Sequence, residues 1–195
     1  MKITTWTSVT LDGVMQGPGS PDEDTRGAFE RGGWAHRYAD EVAMREAGVD
    51  MSERGRILFG RRTYEQFYGF WPKQGDNVFT RVLNDSQKYV CSQTLEEPLP
   101  WENSTLLRGD VVAAVAELKE ELDQDVMILG SGELVRSLMG SDLIDAYTLL
   151  IHPLVLGEGQ RLFADGGPPA DLGLVGSKTT GTGVVIATYS TRPRS

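Results

Sequence analysis

The sequence predicts one α/β domain, a sheet with helices on its faces and a hairpin at its end. Three observations predict it. Apolar runs alternate with helix-like stretches through most of the chain; two of those runs lead through glycine directly into a helix start; and two alternating segments around Thr180-Gly181-Thr182-Gly183 close the sequence. At 195 residues, with no break in composition, the chain is expected to form a single domain over 1–195.

The elements follow in order. Lys2 to Val9 is rich in β-branched and aromatic residues and reads as the opening strand. Leu11-Asp12-Gly13 turns the chain into a Gly/Pro/acid-rich loop from Gln16 to Gly27, whose Asp22-Glu23-Asp24 run is expected to be solvated. Trp34 to Ala47 is a helix candidate ended by Gly48, and Arg56 to Phe59 is a short apolar strand. Thr63 and Gln66 fit the S/T-x-x-E/Q capping box, so the next helix is expected to start at Thr63. Lys88 to Ser92 and Thr105 to Leu107 read as strands.

Asp110 is a good N-cap for a helix whose Val111, Val115, Leu118 and Leu122 share one face. Asp125 to Leu129 is a buried strand, and Gly130 opens a helix that carries Leu134, Val135, Leu138 and Met139 and stops at Gly140. Ile144 to Ile151 is a strong strand. Leu172 to Lys178 and Val184 to Ser190 form the terminal hairpin, which makes the sheet mixed.

Composition narrows the class of function. The chain is 39% hydrophobic and 24% charged, a globular balance, with a net charge of −9. An acidic protein lacks the basic face that nucleic acid requires, so no nucleic-acid partner is expected. The single cysteine, Cys91, forbids an internal disulfide, and His36 and His152 alone make no zinc site, so no metal is expected. Tyr147 to Leu156, the most apolar stretch, is too short to span a bilayer, and the N-terminus has no signal-peptide core; the expected location is the cytoplasm, away from membranes.

Two strand-to-helix turns carry the chemistry. In Phe59-Gly60-Arg61-Arg62-Thr63 a buried strand meets two cations at a helix N-terminus, where unpaired N–H groups and the helix dipole favour an anion. The arginines add bidentate phosphate donors. In Leu129-Gly130-Ser131-Gly132-Glu133-Leu134 small residues allow a ligand to approach the backbone. Each turn alone is also what an ordinary capped helix needs. Together, at the carboxyl ends of strands, they suit one extended diphosphate ligand. A Rossmann reading of Gly130-Ser131-Gly132 is the competitor, but its third small position is occupied by Val135 and the turn lies late in the chain.

In sequence order, these motifs resemble the dihydrofolate reductase superfamily, nearest to the reductase domain of the riboflavin-biosynthesis deaminase-reductase. The resemblance rests on Ser8-Val9-Thr10-Leu11-Asp12-Gly13, Gly60-Arg61-Arg62-Thr63-Tyr64-Glu65 and Val90-Cys91-Ser92-Gln93-Thr94. It continues through Gly130-Ser131-Gly132-Glu133-Leu134, Leu143-Ile144-Asp145 and Pro153-Leu154-Val155-Leu156-Gly157-Glu158-Gly159 to Leu162-Phe163.

The resemblance implies a three-layer fold with a central, mostly parallel sheet and an NADPH-dependent reductase of a small pterin- or pyrimidine-like or carbonyl substrate. It assigns the dinucleotide phosphates to Gly60, Arg61, Arg62 and Thr63, with Ser92 and Arg61 at the adenosine 2′-phosphate. Gly130, Ser131, Gly132, Glu133 and Leu134 would lie beside the diphosphate, and Gly130-Ser131 would carry a cis peptide bond. The loop from Asp12 to Gln16 would border the nicotinamide, with Asp12 as the catalytic candidate and Met15 and Trp34 as substrate contacts. Asp40, Glu41 and Glu46 are the carboxylates on offer where folate reductases hold the pterin. No deaminase zinc motif is present. A homodimer is expected, with Phe67 to Pro72 as a core or dimer contact, and His152 as a structural histidine. Two alternatives remain: a cofactor-binding module without turnover, and a Rossmann-type NADH oxidoreductase.

Overall fold

The computed structural model describes residues 1–75 and 77–191. Its centre is β1 (Ile3–Thr10), whose residues are buried almost throughout, as a strand covered on both faces must be. β5 (Val126–Leu129) and β6 (Ala146–His152) flank it in parallel, so that Trp6 registers with Leu129 on one side and Thr148 on the other. Beyond β5 come β2 (Arg56–Gly60), β3 (Gln87–Cys91) and the edge strand β4 (Ser104–Leu107), again in parallel. On the other side β8 (Val185–Thr191) runs antiparallel to β6, and β7 (Leu172–Thr179) closes the hairpin. The sheet order is β4-β3-β2-β5-β1-β6-β8-β7. This is the mixed, mostly parallel sheet with a terminal hairpin that the sequence predicts.

Period-2 burial in the strands divides the core in two. Ile57, Phe59 and Met127 pack on one face against Ala47 and Met51 of α1 (Glu41–Arg54), Tyr64 of α2 (Arg61–Phe70), and Phe79 and Leu83 of α3 (Val78–Asp85). Leu58, Val126 and Ile128 point the other way, against Val115 of α4 (Val111–Glu121) and Val135 and Leu138 of α5 (Gly132–Met139). Helices therefore cover both faces.

The helix expected over 34–47 is displaced. Trp34 and Ala35 belong to a looped segment, pinned where Gly33 and Ala35 donate to the carbonyls of Gly17 and Pro18 at 2.7 and 3.0 Å. The helix begins after Asp40, whose carboxylate accepts from Val42 N at 2.8 Å, and runs through Gly48. An interior glycine costs a helix only about 1 kcal/mol, less than the packing of Ala47 and Met51 supplies. The stop is Gly55, held at φ +66. α3 lies where the sequence pattern predicts no element, and Asn77 caps it by accepting from Thr80 N at 2.9 Å.

Among the described residues, no helix is long and apolar enough to cross a membrane.

Candidate cofactor and substrate cleft

The carboxyl ends of the parallel strands open into a cavity of about 940 Å³, at the upper end of the usual range for ligand sites. Gly60 at the end of β2, Cys91 and Ser92 at the end of β3, Leu107 of β4 and Gly130 after β5 all line it. The structure thus brings every expected cofactor residue onto one wall system: Gly60, Arg61, Arg62 and Thr63 from the first turn, Gly130 to Leu134 from the second, and Ser92 between.

The two turns are joined directly. Gly60 N donates to Ser131 Oγ at 3.0 Å, Ser131 N donates to Thr63 Oγ1 at 3.2 Å, and Ser131 Oγ donates to Leu129 O at 3.2 Å. Thr63 therefore serves the neighbouring turn and not its own helix; the expected capping box does not form. α2 starts two residues earlier, from an extended Gly60, and Gln66 instead donates to the Glu23 carbonyl. The Gly130–Ser131 peptide bond is not cis; the cis bond among the described residues is Glu97–Pro98. Gly130 and Ser131 instead turn the chain with successive positive φ values of 59° and 48°, which redirects β5 into α5 without a cis bond.

Capping differs among the helices that line the cleft: the two that start beside the arginines lack a side-chain cap, whereas α1, α3 and α4, whose Val111 also lines it, have one. α1, α3 and α4 are capped by Asp40, Asn77 and Asp110, as expected for Asp110, which accepts from Ala113 N at 2.8 Å. α2 and α5 carry no side-chain cap. Their first turns thus line the cleft with no side-chain cap accepting from their N–H groups, and the one acid there is Glu133 in the first turn of α5. Around them Arg61 pairs with Glu65 at 3.0 Å, and Glu133 lies between Arg62, at 3.0 Å, and Arg26. Burial alone would raise the Glu133 pKa; the Arg26 hydrogen bond and the charges of Arg26 and Arg62 outweigh it and hold it low. Ser92 Oγ accepts from Thr94 N and Leu95 N at 3.1 and 3.0 Å, which leaves its own proton to donate.

The loop from Gln16 to Arg26 forms a second wall, where the sequence suggested only a solvated acidic run. Glu23 Oε2 accepts from the backbone N–H groups of Gly19 and Ser20, and burial raises its pKa. Asp24 accepts from Arg26 Nε at 2.8 Å, and this bond lowers its pKa. Backbone donors and Arg26 thus replace the water these acids give up. Gln16 ties the loop down by donating to the Arg26 carbonyl at 2.8 Å.

A third wall is apolar, and sequence reasoning missed it. It comes from Ala43, Met44 and Ala47 on α1, from Phe67 and Phe70 on α2, and from Trp71 and Phe79 beyond. The aromatic cluster expected to be core or a dimer contact packs on the core through Phe67, Tyr68 and Trp71, and Phe67, Phe70 and Trp71 also line the cleft. The i, i+4 spacing of Ala43, Ala47 and Met51 was the signal that could have placed α1 correctly.

The remaining candidates part company. Met15 lines the cleft with its thioether lying on Gly132, where a Cβ would fall 1.8 Å from Sδ. Asp12 does not line it: its carboxylate accepts from Leu156 N and Gly157 N at 3.2 and 2.8 Å and from the Thr10 hydroxyl. Burial would raise its pKa, but these bonds bring it down to about 2, so Asp12 is an ionised loop clamp without a proton to give. Trp34 is buried among Val14, Phe29 and Leu154 and donates to Gln16 O at 2.7 Å, a packing role that holds the loop from beneath. Asp40 is a helix cap and Glu46 pairs with Lys178 at 2.8 Å; with Glu41 they lie off the cleft lining. His152 is buried between Trp34 and Tyr38 with ring centroids at 5.1 and 5.6 Å, but it is not the satisfied structural histidine the sequence suggested: neither ring nitrogen has a hydrogen-bond partner.

Comparison with known proteins agrees with this architecture. The model of the RibD C-terminal domain family matches residues 1–186. The Bacillus subtilis protein YyaP is 30% identical over 138 residues, covering 68% of this chain and 72% of that protein. YwjB from the same organism is 31% identical over 132 residues, covering 67% and 70%. Among solved structures, a protein named for riboflavin biosynthesis from Shewanella sp. PV-4 superposes with a TM-score of 0.70 at 21% identity over 98% of this chain and 99% of its own. A pyrimidine reductase-like protein from Corynebacterium diphtheriae gives 0.65 at 13% identity over 99% and 92%. At these identities the two structures establish the shared fold.

Proposed function

The chain belongs to the RibD C-terminal domain family, a family of reductase domains, and on that premise we propose that it is an NADPH-dependent reductase of a small heterocyclic or carbonyl substrate. The observation that carries this reading is the capping pattern: α2 and α5 lack side-chain caps, and both open on the same cavity beside arginines. Bare helix N-termini with adjacent guanidiniums suit a diphosphate. Arg61 with Ser92 would receive the 2′-phosphate, and Gly130 to Gly132 would let the diphosphate approach the backbone. When bound, the dinucleotide supplies a hydride. The protein's own part is to hold the acceptor beside it and to exclude water, through the apolar wall and the loop pinned by Gln16 and Gln66.

Fluorescence titration with NADPH and NADH tests this. Saturable NADPH binding below millimolar concentration is expected, weakened roughly 10- to 100-fold by Arg61→Ala, the span of one charge-assisted hydrogen bond. NADH binding should change far less. NADH bound more tightly than NADPH would favour the Rossmann-type alternative, and binding without oxidation across dihydropterin, pyrimidine and quinone acceptors would favour a module without turnover.

A further inference from the structure

The charged side chains of the cleft come from few segments. Among the described residues, every charged lining side chain comes from the 22–26 loop, from the first turn of α2 or from Glu133. There four carboxylates, those of Asp22, Glu23, Asp24 and Glu133, meet the three guanidiniums of Arg26, Arg61 and Arg62. Each of those guanidiniums is already paired, Arg61 with Glu65, Arg62 with Glu133, and Arg26 with Asp24 and Glu133.

The far end is different in kind. α2 spans about 14 Å from its arginines to Phe70, so one helix connects the two ends. Around its last turns, Met44 and Ala43 of α1 form one side and Phe67, Phe70 and Trp71 the other. The floor is Trp6, Leu129 and Leu150, from adjacent strands on one sheet face. Among the described residues, none of the charged lining side chains comes from the segments that form this chamber, and the nearest acidic segment is the one Gln66 holds by donating to the Glu23 carbonyl; Ser8 lies beside Trp6 in the lining.

Resting on the reductase reading above, we propose that the substrate is an uncharged planar ring system of one or two rings that carries no phosphate, held in this chamber by aromatic and thioether contacts. A dinucleotide at the charged end would occupy the three arginines and leave no cation for a second phosphate. A second anion would also face the carboxylates of the loop in a site of low dielectric, where repulsion is costly. Flat aromatic walls, in contrast, match the face of a conjugated ring. In the reaction the acceptor ring gains a hydride at an electron-poor C=N or C=O and a proton from solvent, two electrons in all, and the dinucleotide is the reductant that is oxidised. This substrate class leaves out phosphorylated rings, because none of the charged lining side chains among the described residues comes from the segments that form the chamber.

Calorimetric titration of the full chain, with and without NADPH, tests the inference using 2-methyl-1,4-naphthoquinone and 6,7-dimethylpterin as neutral rings and uridine 5′-phosphate as the phosphorylated probe. At least one ring should bind tenfold or more tightly than the nucleotide. Met44→Lys and Phe70→Lys, at two rim positions that are 44% and 53% exposed and so tolerate a lysine, should each weaken ring binding at least fivefold and leave NADPH affinity within twofold. The inference is overturned if uridine 5′-phosphate binds as tightly as the rings, if neither ring saturates below millimolar concentration, or if both lysine variants leave ring affinity unchanged. Ring affinity without NADPH reads the chamber alone, and the comparison with uridine 5′-phosphate is read with the dinucleotide bound, because the arginines left free without it would hold the nucleotide's phosphate. Failure of NADPH to bind would instead count against the reductase reading.

Discussion

Arg62 and Glu133 tie the two phosphate-facing turns together: Arg62 Nη1 lies 3.1 and 3.0 Å from the two carboxylate oxygens of Glu133. Glu133 stands in the first turn of α5, where the helix dipole favours an anion, and Arg26 of the covering loop donates to the same carboxylate. The carboxylate thus occupies the electrostatic position a ligand phosphate would take. Both side chains are about half exposed, so the pair is worth no more than about 1 kcal/mol and a phosphate can displace it readily.

Glu133→Gln should therefore tighten NADPH binding by up to about fivefold, because Arg26 and Arg62 no longer need to exchange partners. Fluorescence titration at low and high salt would read the effect, which should shrink as salt screens it. Weaker binding in the variant would show that Glu133 contributes to the ligand directly.

Stability should fall with acid through His152. Burial between two aromatic rings pushes its pKa from 6.5 down to about 4, so the folded protein keeps this ring neutral while the unfolded chain takes up a proton. The native state is then disfavoured as pH falls from 6.5 towards 4, by about 3 kcal/mol over that window. Urea unfolding of the wild type and of His152→Phe at pH 7.5 and 4.5 checks this. The phenylalanine variant should lose distinctly less stability between the two conditions, and equal losses would remove His152 as the cause.

Lys88 should be a strong stability determinant although it lies outside the cleft. It is fully buried, and its Nζ donates to the carbonyls of Leu83, Asn84 and Ser86 at 2.9, 3.1 and 2.7 Å, closing the C-terminus of α3 over the Trp101 ring. Lys88→Met keeps the apolar stem but leaves those carbonyls without their donor. A loss of about 2–4 kcal/mol in denaturant unfolding is expected, while NADPH affinity of the folded fraction should stay within twofold.

We also expect a homodimer, through the outer edge of β7. Leu174 and Val175 are 60% and 67% exposed there, and Val175 is the extra residue at the irregularity between Leu174 and Gly176. Exposed apolar residues on an edge strand call for a cover. Sedimentation should give about twice the 21.4 kDa chain mass for the wild type and the chain mass itself for Val175→Lys. A wild-type monomer at micromolar concentration would refute it.

The sequence by itself determined the frame. Alternating apolar strands and capped helices specified a mostly parallel sheet with a hairpin, because periods of 2 and near 3.6 are local properties. Gly60-Arg61-Arg62 and Gly130-Ser131-Gly132 were legible as helix-start turns for the same reason. Tertiary structure alone decided what surrounds those turns. Thr63 reads locally as a cap, yet its hydroxyl serves Ser131, 68 residues away. Asp12 looks like a carboxylate near a reaction centre, but Leu156 and Gly157 supply N–H groups that turn it into a clamp. The apolar chamber joins α1, α2 and the floor strands, which no local pattern relates. Local spacing records which elements form; partners far apart in the chain decide which side chains face the ligand.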